Sequence, residues 1–160
     1  MKDKLTKKEE TPQDGFEERV VQISRVAKKR AGGSRISFSV VVVVGNKMGK
    51  VGVGLGKAPS VAQAVTKGAA YAKKHLVEVP LTNTTIPHSI RVKKGAAKVL
   101  LKPAPPGSGI IAGGPIRAVV EAAGITDISA KILGTKNQAS NVYATLEALR
   151  KLRPLRRKEK

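Results

Sequence analysis

The 160 residues contain no cysteine and no tryptophan, and the only aromatic rings of Phe or Tyr are Phe16, Phe38, Tyr71 and Tyr143. Without cysteine there is neither a disulfide framework nor a thiolate metal site. The two histidines, His75 and His88, belong to no ligand cluster, so no metal or other cofactor is expected. Four scattered rings do not furnish the rich platform on which unpaired bases usually stack. Long apolar runs are also missing. No stretch approaches the ~20 residues of a membrane-spanning helix, and the opening MKDKLTKKEE lacks a signal core. No long helix joins a basic face to bulky apolar anchors, so a membrane partner is not expected and the expected compartment is the cytoplasm.

Acid is the other shortage, and it is unevenly spread. Six of the eleven Asp and Glu residues fall in the first 18 positions, and from Arg19 onward 27 Lys and Arg face 5 acids, a net of +22. Charge of one sign at that density repels itself and calls for a polyanionic partner, with nucleic acid first. The scarcity of rings favours folded or double-helical RNA, read through phosphates, sugars and shape. The basic body holds only Glu78, Glu121, Asp127, Glu147 and Glu159, no two at a catalytic spacing, and neither histidine stands beside a glycine-elbow serine. Acid–base or nucleophilic catalysis needs such constellations, so the chain is not expected to be an enzyme.

What is present centres on residues 37–76. A saturated β-run, Ser37–Val44, leads through a turn at Gly45–Gly49 into a second strand, Lys50–Gly56, with glycine at every other position. Side chains alternate across a strand, so Val51, Val53 and Leu55 share one face while Gly52, Gly54 and Gly56 leave the other bare. A bare face admits another backbone, either a packed helix or a phosphate chain. The dinucleotide fingerprint fails, because its third glycine would fall on Lys57. The triphosphate loop fails too, because Ala58 lacks its hydroxyl and Val51 replaces its first glycine. Ser60 is a candidate N-cap for a helix to about Leu76, with Val61, Ala64, Val65, Gly68, Ala72 and Leu76 as its apolar stripe.

Taken in order, residues 1–15 are too polar to order themselves and read as a disordered arm. Phe16–Ala27 reads as a strand in which Val21 and Ile23 alternate with polar neighbours. Lys28–Arg35 is a glycine-containing hairpin loop with four cations, which the overall charge favours as a probe for an RNA groove over a solvated turn. In the central strand, Arg35–Val44, residues Ile36, Phe38, Val40, Val42 and Val44 line one face, and Val41 and Val43 call for cover on the other. Pro80 marks a boundary, with 80–83 as linker. Thr84–Lys94 and Ala97–Lys102 read as a hairpin around Gly95, with Lys93, Lys94 and Lys98 near its tip. Gly113-Gly114-Pro115 opens a helix that Gly124 ends, and Arg117 and Glu121 are placed to pair. The Gly113-Gly114 turn is read as a structural turn before an anion site. Asp127–Leu133 is a strand, Ala139–Leu152 a helix with Val142, Leu146 and Leu149 inward, and 153–160 a basic tail. The expected order is β-β-β-α, then β-β-α-β-α, an α+β chain whose halves do not repeat.

Several stretches together resemble the bacterial small-subunit ribosomal protein S-five family: EERVVQISRVAKKRAGGSR, GNKMGKVGVGLGKAPSV, IPHSI, LLKPAPPGSGIIAGGPIRAVVEAAGITDISAKILGTKNQAS and NVYATLEAL. The resemblance runs from about Phe16 to Leu152. It implies a double-stranded-RNA-binding-like β3α domain over 16–79 and a C-terminal α+β domain over 84–152 with a left-handed β-α-β crossover, against the usual right-handed rule. It further implies a non-enzymatic constituent of the small subunit that binds its rRNA, supports assembly and decoding accuracy, neighbours the S-four and S-eight proteins, and lies near the region where mRNA enters. The family's loop near the spectinomycin site corresponds to Arg25–Arg35, where Ala31 and Ser34 replace two cations of its K-G-G-R pattern. The candidate rRNA contacts are Arg19, Arg25, Lys28, Lys29, Arg30, Gly32, Gly33, Arg35, Lys50, Lys57, Lys67, Lys93, Lys94 and Lys98. Gly109 and Arg117 match the family's contact with S-four, with the Arg117–Glu121 pair as the plainer use of Arg117. The alternatives are a free double-stranded-RNA-binding protein or RNA chaperone, and a DNA-compacting protein. The latter is disfavoured because no long helix is available to enter a groove.

Overall fold

The computed structural model describes residues 15–154. The expected arm over 1–15 and tail over 153–160 lie outside the described residues, save Gly15, Arg153 and Pro154. The first half contains β1 (Glu17–Arg30), β2 (Gly33–Gly45), β3 (Lys50–Ala58), α1 (Val61–Lys74) and β4 (Val77–Glu78). Its four strands form an antiparallel sheet in chain order.

The glycine face of β3 is filled by a helix. In register, Val44, Val42 and Val40 of β2 stand opposite Gly52, Gly54 and Gly56. On that face α1 buries Ala64, Gly68, Ala69 and Ala72. A Cβ added to Gly52, Gly54 or Gly56 would run into the carbonyl oxygen of Ala72, Gly68 or Ala64. Small residues on both surfaces thus let helix and sheet backbones touch, and the phosphate reading of this face is set aside. Ser60 is the N-cap residue of α1 in position only, since its hydroxyl makes no capping bond.

The second half contains β5 (Ile90–Lys94), β6 (Ala97–Pro103), β7 (Ile110–Ile111), α2 (Gly114–Ala123), β8 (Ile128–Ile132) and α3 (Gln138–Arg150). The sheet order is β5-β6-β8-β7, antiparallel except for the parallel pairing of β7 with β8. Gly113 is the N-cap residue of α2, Pro115 lies in its first turn, and Gly124 closes it at φ 87°, a left-handed angle that glycine adopts without strain. Helices α2 and α3 pack between the two sheets. The layers therefore run α1, first sheet, α2 with α3, second sheet. One apolar cluster crosses the middle, joining Val41, Val43, Val51 and Val53 of the first half to Leu101, Val119 and Leu149, among others, of the second.

The β2–β3 turn fastens the halves. The N–H groups of Lys47 and Gly49 donate to the carbonyl oxygens of Ala122 and Ala123, at 3.0 and 2.9 Å, satisfying acceptors that the end of α2 would otherwise leave orphaned. The Asn46 side chain holds the turn by accepting from the N–H groups of Met48 and Lys50. Gly45 and Gly124 have no space for a Cβ, which would strike Ala122 and Lys47 respectively.

Four expectations need correction. The chain has eight strands among the described residues, not six, because the two-residue β4 and β7 are too short to carry a period. Thr84–Ser89 is not strand; there, only an isolated bridge joins Thr82 and Thr85. The β1–β2 hairpin loop is not Lys28–Arg35 but Ala31-Gly32, with Lys28, Lys29 and Arg30 paired to Arg35, Ser34 and Gly33. Finally, the register shifts between Val20 and Gln22. This bulge turns Val21 toward the shared core, whereas Ile23 stands opposite Val40 on the α1 side.

Candidate nucleic-acid interface

Two hairpin ends and one sheet face carry the outward cations. At the far end of β1–β2, Lys28, Lys29, Arg30 and Arg35 are all exposed. Register places Lys28, Arg30, Arg35 and Lys57 on the sheet face opposite α1, and Arg25 and Lys29 on the α1 face. The hairpin therefore presents charge on both sides, as a projection entering a groove would. Gly33 adopts φ 136°, and Gly32 and Gly33 have open space around them, so the tip is bare. Lys67 is exposed on α1.

The second end is the β5–β6 turn, where Gly95 takes φ 58°. Lys93 stands directly opposite Lys98, while Lys94 lies opposite buried Ala97. Lys94 reaches over the Tyr143 ring, with Nζ 5.5 Å from its centroid, a cation–π contact that ties this tip to α3. Because Val92, Val99 and Leu101 point inward, alternation puts Arg91, Lys93, Lys98, Lys102 and Lys131 together on the outer face. Arg91, Lys102 and Lys131 were missed in the sequence. The period-two pattern Arg91-Val92-Lys93 and Lys98-Val99-Leu100-Leu101-Lys102 contains the signal that places the first two, but β8 must pair with β6 before Lys131 can be assigned to the same face.

None of Arg25, Lys28, Lys29, Arg30, Arg35, Lys57, Lys67, Lys93, Lys94 and Lys98 makes an ion pair among the described residues. Two other candidates are engaged within the protein. Arg19 pairs with Glu121, linking β1 to α2, and Lys50 lies 3.2 Å from Glu78. Neither joins the hairpin ends.

Gly109 and Arg117, by contrast, are brought together. The Arg117 guanidinium donates to the Ile110 carbonyl at 2.8 Å and lies 3.5 Å from Glu121, so Glu121 serves both Arg117 and Arg19. The Gly109 N–H donates to the Asp127 carboxylate at 2.9 Å, and Gly109 itself sits at φ 70°. Asp127 is 4% exposed. Its pKa is lowered, chiefly by the Gly109 N–H, with the Thr126 hydroxyl adding to the effect. A cleft of about 590 Å³ beside this cluster is lined in part by Arg19, Lys47, Ile110, Arg117 and Glu121.

No three acidic or histidine side chains gather to hold a metal among the described residues, and no described helix is long and apolar enough to cross a membrane. A layered α+β body with unpaired cations at two hairpin ends defines a protein of the polyanion-binding class. The family descriptions "Ribosomal protein S5, N-terminal domain" and "Ribosomal protein S5, C-terminal domain" match residues 16–80 and 92–160. The chain is 54% identical over 142 residues to the small ribosomal subunit protein uS5 of Thermus thermophilus, covering 89% of this chain and 88% of that one. It is 51% identical over 151 residues to uS5 of Nostoc sp., covering 94% and 85%, and 54% identical over 140 residues to uS5c of Pyropia yezoensis, covering 87% and 80%. The chain belongs to the ribosomal protein S5 family.

Proposed function

We propose that this protein is a structural, non-catalytic constituent of the small ribosomal subunit that binds small-subunit rRNA. The observation that carries the reading is the set of exposed, unpaired cations at the β1–β2 end, on a chain of this family. Arg25, Lys28, Lys29, Arg30 and Arg35 contact phosphates there, with Gly32 and Gly33 allowing close approach. Lys57 and Lys67 extend the contact, and Lys93 and Lys98 supply a second one. Arg19 and Lys50 join only where RNA competes with their acidic partners.

In the same reading, Gly109 and Arg117 face the S-four protein, S-eight is a second neighbour, and the molecule lies in the cytoplasm near the region where mRNA enters, supporting assembly and decoding accuracy. The parallel pairing of β7 and β8 around α2 supports a β-α-β unit, for which we propose the left-handed crossover. The division into 16–79 and 84–152 follows the two sheets; one apolar cluster is shared across it and another lies within the first half beneath α1.

The test is sedimentation of cell lysate through a sucrose gradient after a high-salt wash, with the protein traced by immunoblot. Continued migration with small subunits is expected. Release to the top of the gradient overturns the reading in favour of a free RNA-binding protein.

A further inference from the structure

Two rings at the C-terminal end of α1, Tyr71 and the C-cap residue His75, belong to neither apolar cluster. The helix buries Ala64, Gly68, Ala69 and Ala72 against the first sheet, whereas Tyr71 is 49% exposed and His75 is exposed as well. Four residues apart, they lie on one side of the helix, stacked with centroids 4.2 Å apart and planes 23° from parallel. The imidazole is held by its Nδ1, 2.9 Å from the Tyr71 carbonyl oxygen, which fits the tautomer in which Nδ1–H donates. The pair is thus ordered before any ligand arrives, which reduces the entropy cost of binding.

The surroundings suit one kind of ligand. His75, Leu76, Val77, Glu78 and, from α3, Arg150 line an open cleft of about 430 Å³. Lys74 and Lys151 are exposed close by in the chain, each next to a cleft residue. Glu78 is the acid of this lining and pairs with Lys50, as Lys151 pairs with Glu147, so the ring stack, the apolar wall and the Arg150 guanidinium are what match an unpaired nucleobase with its phosphate. Base–aromatic stacking tolerates any sequence, and Arg can take the phosphate or extend the stack. The glycine-tipped hairpins offer charge without rings, so this site differs from theirs in chemistry as well as position. Counting only Phe and Tyr hides it, because the second ring is a histidine brought into place by helical spacing.

We propose that Tyr71 and His75 form a stacking platform for an unpaired RNA base, with Arg150 holding the adjoining phosphate. The inference rests on the RNA-binding reading above but assigns a separate site and a single-stranded ligand.

The test uses the full chain and a ten-nucleotide oligouridylate carrying one 2-aminopurine, whose fluorescence falls on stacking, with a duplex fragment of small-subunit rRNA as a second probe. The wild type is expected to quench the oligouridylate. Tyr71→Leu, which keeps apolar bulk without a ring, and His75→Ala should each weaken that binding about five- to a hundredfold, while Tyr71→Phe retains it. Arg150→Ala should keep the quench amplitude but reduce the salt slope by about one unit. The triple variant Lys28→Ala/Lys29→Ala/Arg30→Ala should weaken duplex binding and leave the quench in place. Unchanged quench and affinity in both Tyr71→Leu and His75→Ala would overturn the platform, leaving the pair as a helix-end contact only. So would duplex binding by a wild type that never quenches the oligouridylate. A wild type that binds neither probe overturns the RNA-binding reading itself.

Discussion

Gly54 packs the first half against α1, and Asp127 holds the Gly109 loop of the second. An alanine Cβ at Gly54 would be forced against the Gly68 carbonyl oxygen and the Ala72 nitrogen of α1. Since the obstacle is backbone, it cannot rotate away. Gly54→Ala should cost about 1–3 kcal/mol, seen as a lower urea midpoint at unchanged m-value. Gly32→Ala, where a Cβ meets open space, should stay within about 0.5 kcal/mol of wild type. Asp127 predicts a pH effect. Its folded-state pKa is lowered, first by the Gly109 N–H. Its contribution is therefore complete above the ordinary aspartate value of about 3.9 and is lost as pH falls through the folded value. Urea titrations at a series of pH values should find the wild-type advantage over Asp127→Asn steady near neutrality and shrinking below about pH 4. An advantage independent of pH would remove Asp127 as the anchor of the Gly109 loop.

The elements were legible in the sequence where a period had room to repeat. The three helices lie within two residues of their expected bounds, because 10 to 14 residues give several turns of apolar spacing. Two-residue strands repeat nothing, so β4 and β7 could be found only through their partners. The bulge at Val21 was equally hidden, since it changes pairing without changing composition. For the site, the cations of the β1–β2 end were evident as residues but misjudged as a loop. Their pairing across the strands, Lys28 with Arg35 and Lys29 with Ser34, makes the end a stiff two-stranded projection. Replacing Lys28, Lys29 and Arg30 with Ala should leave the β2 core intact, because these positions are exposed. The logarithmic slope of rRNA affinity against salt should flatten by about one unit per lost phosphate contact. A slope equal to that of wild type would exclude this projection from the interface.

At the scale of the whole molecule, the valines at 41, 43, 51 and 53 decide how the halves relate. They belong to the same apolar cluster as Leu101, Val119 and Leu149, and the β2–β3 turn is bonded to the end of α2. The two sheets should therefore unfold as one. Native-state hydrogen exchange of the Val42 amide in the first half and of the Val99 amide in the second, both buried strand positions, reports the halves separately. Equal opening free energies are expected; clearly different values would mean independent domains. The charge pattern follows the same architecture, with the acids Glu17, Glu18 and Glu121 pairing at the surface with Lys47, Lys73, Arg19 and Arg117 while the cations of the hairpin ends make no ion pair among the described residues. The shared valine face also sets a clock on synthesis. When residue 80 has been made, that face has no cover, and the residues that complete it extend to Leu152. At about 5–20 residues per second, a newborn chain carries a bare apolar sheet for roughly 4 to 14 seconds, and in that interval a chaperone, or another nascent copy, competes with its own second half.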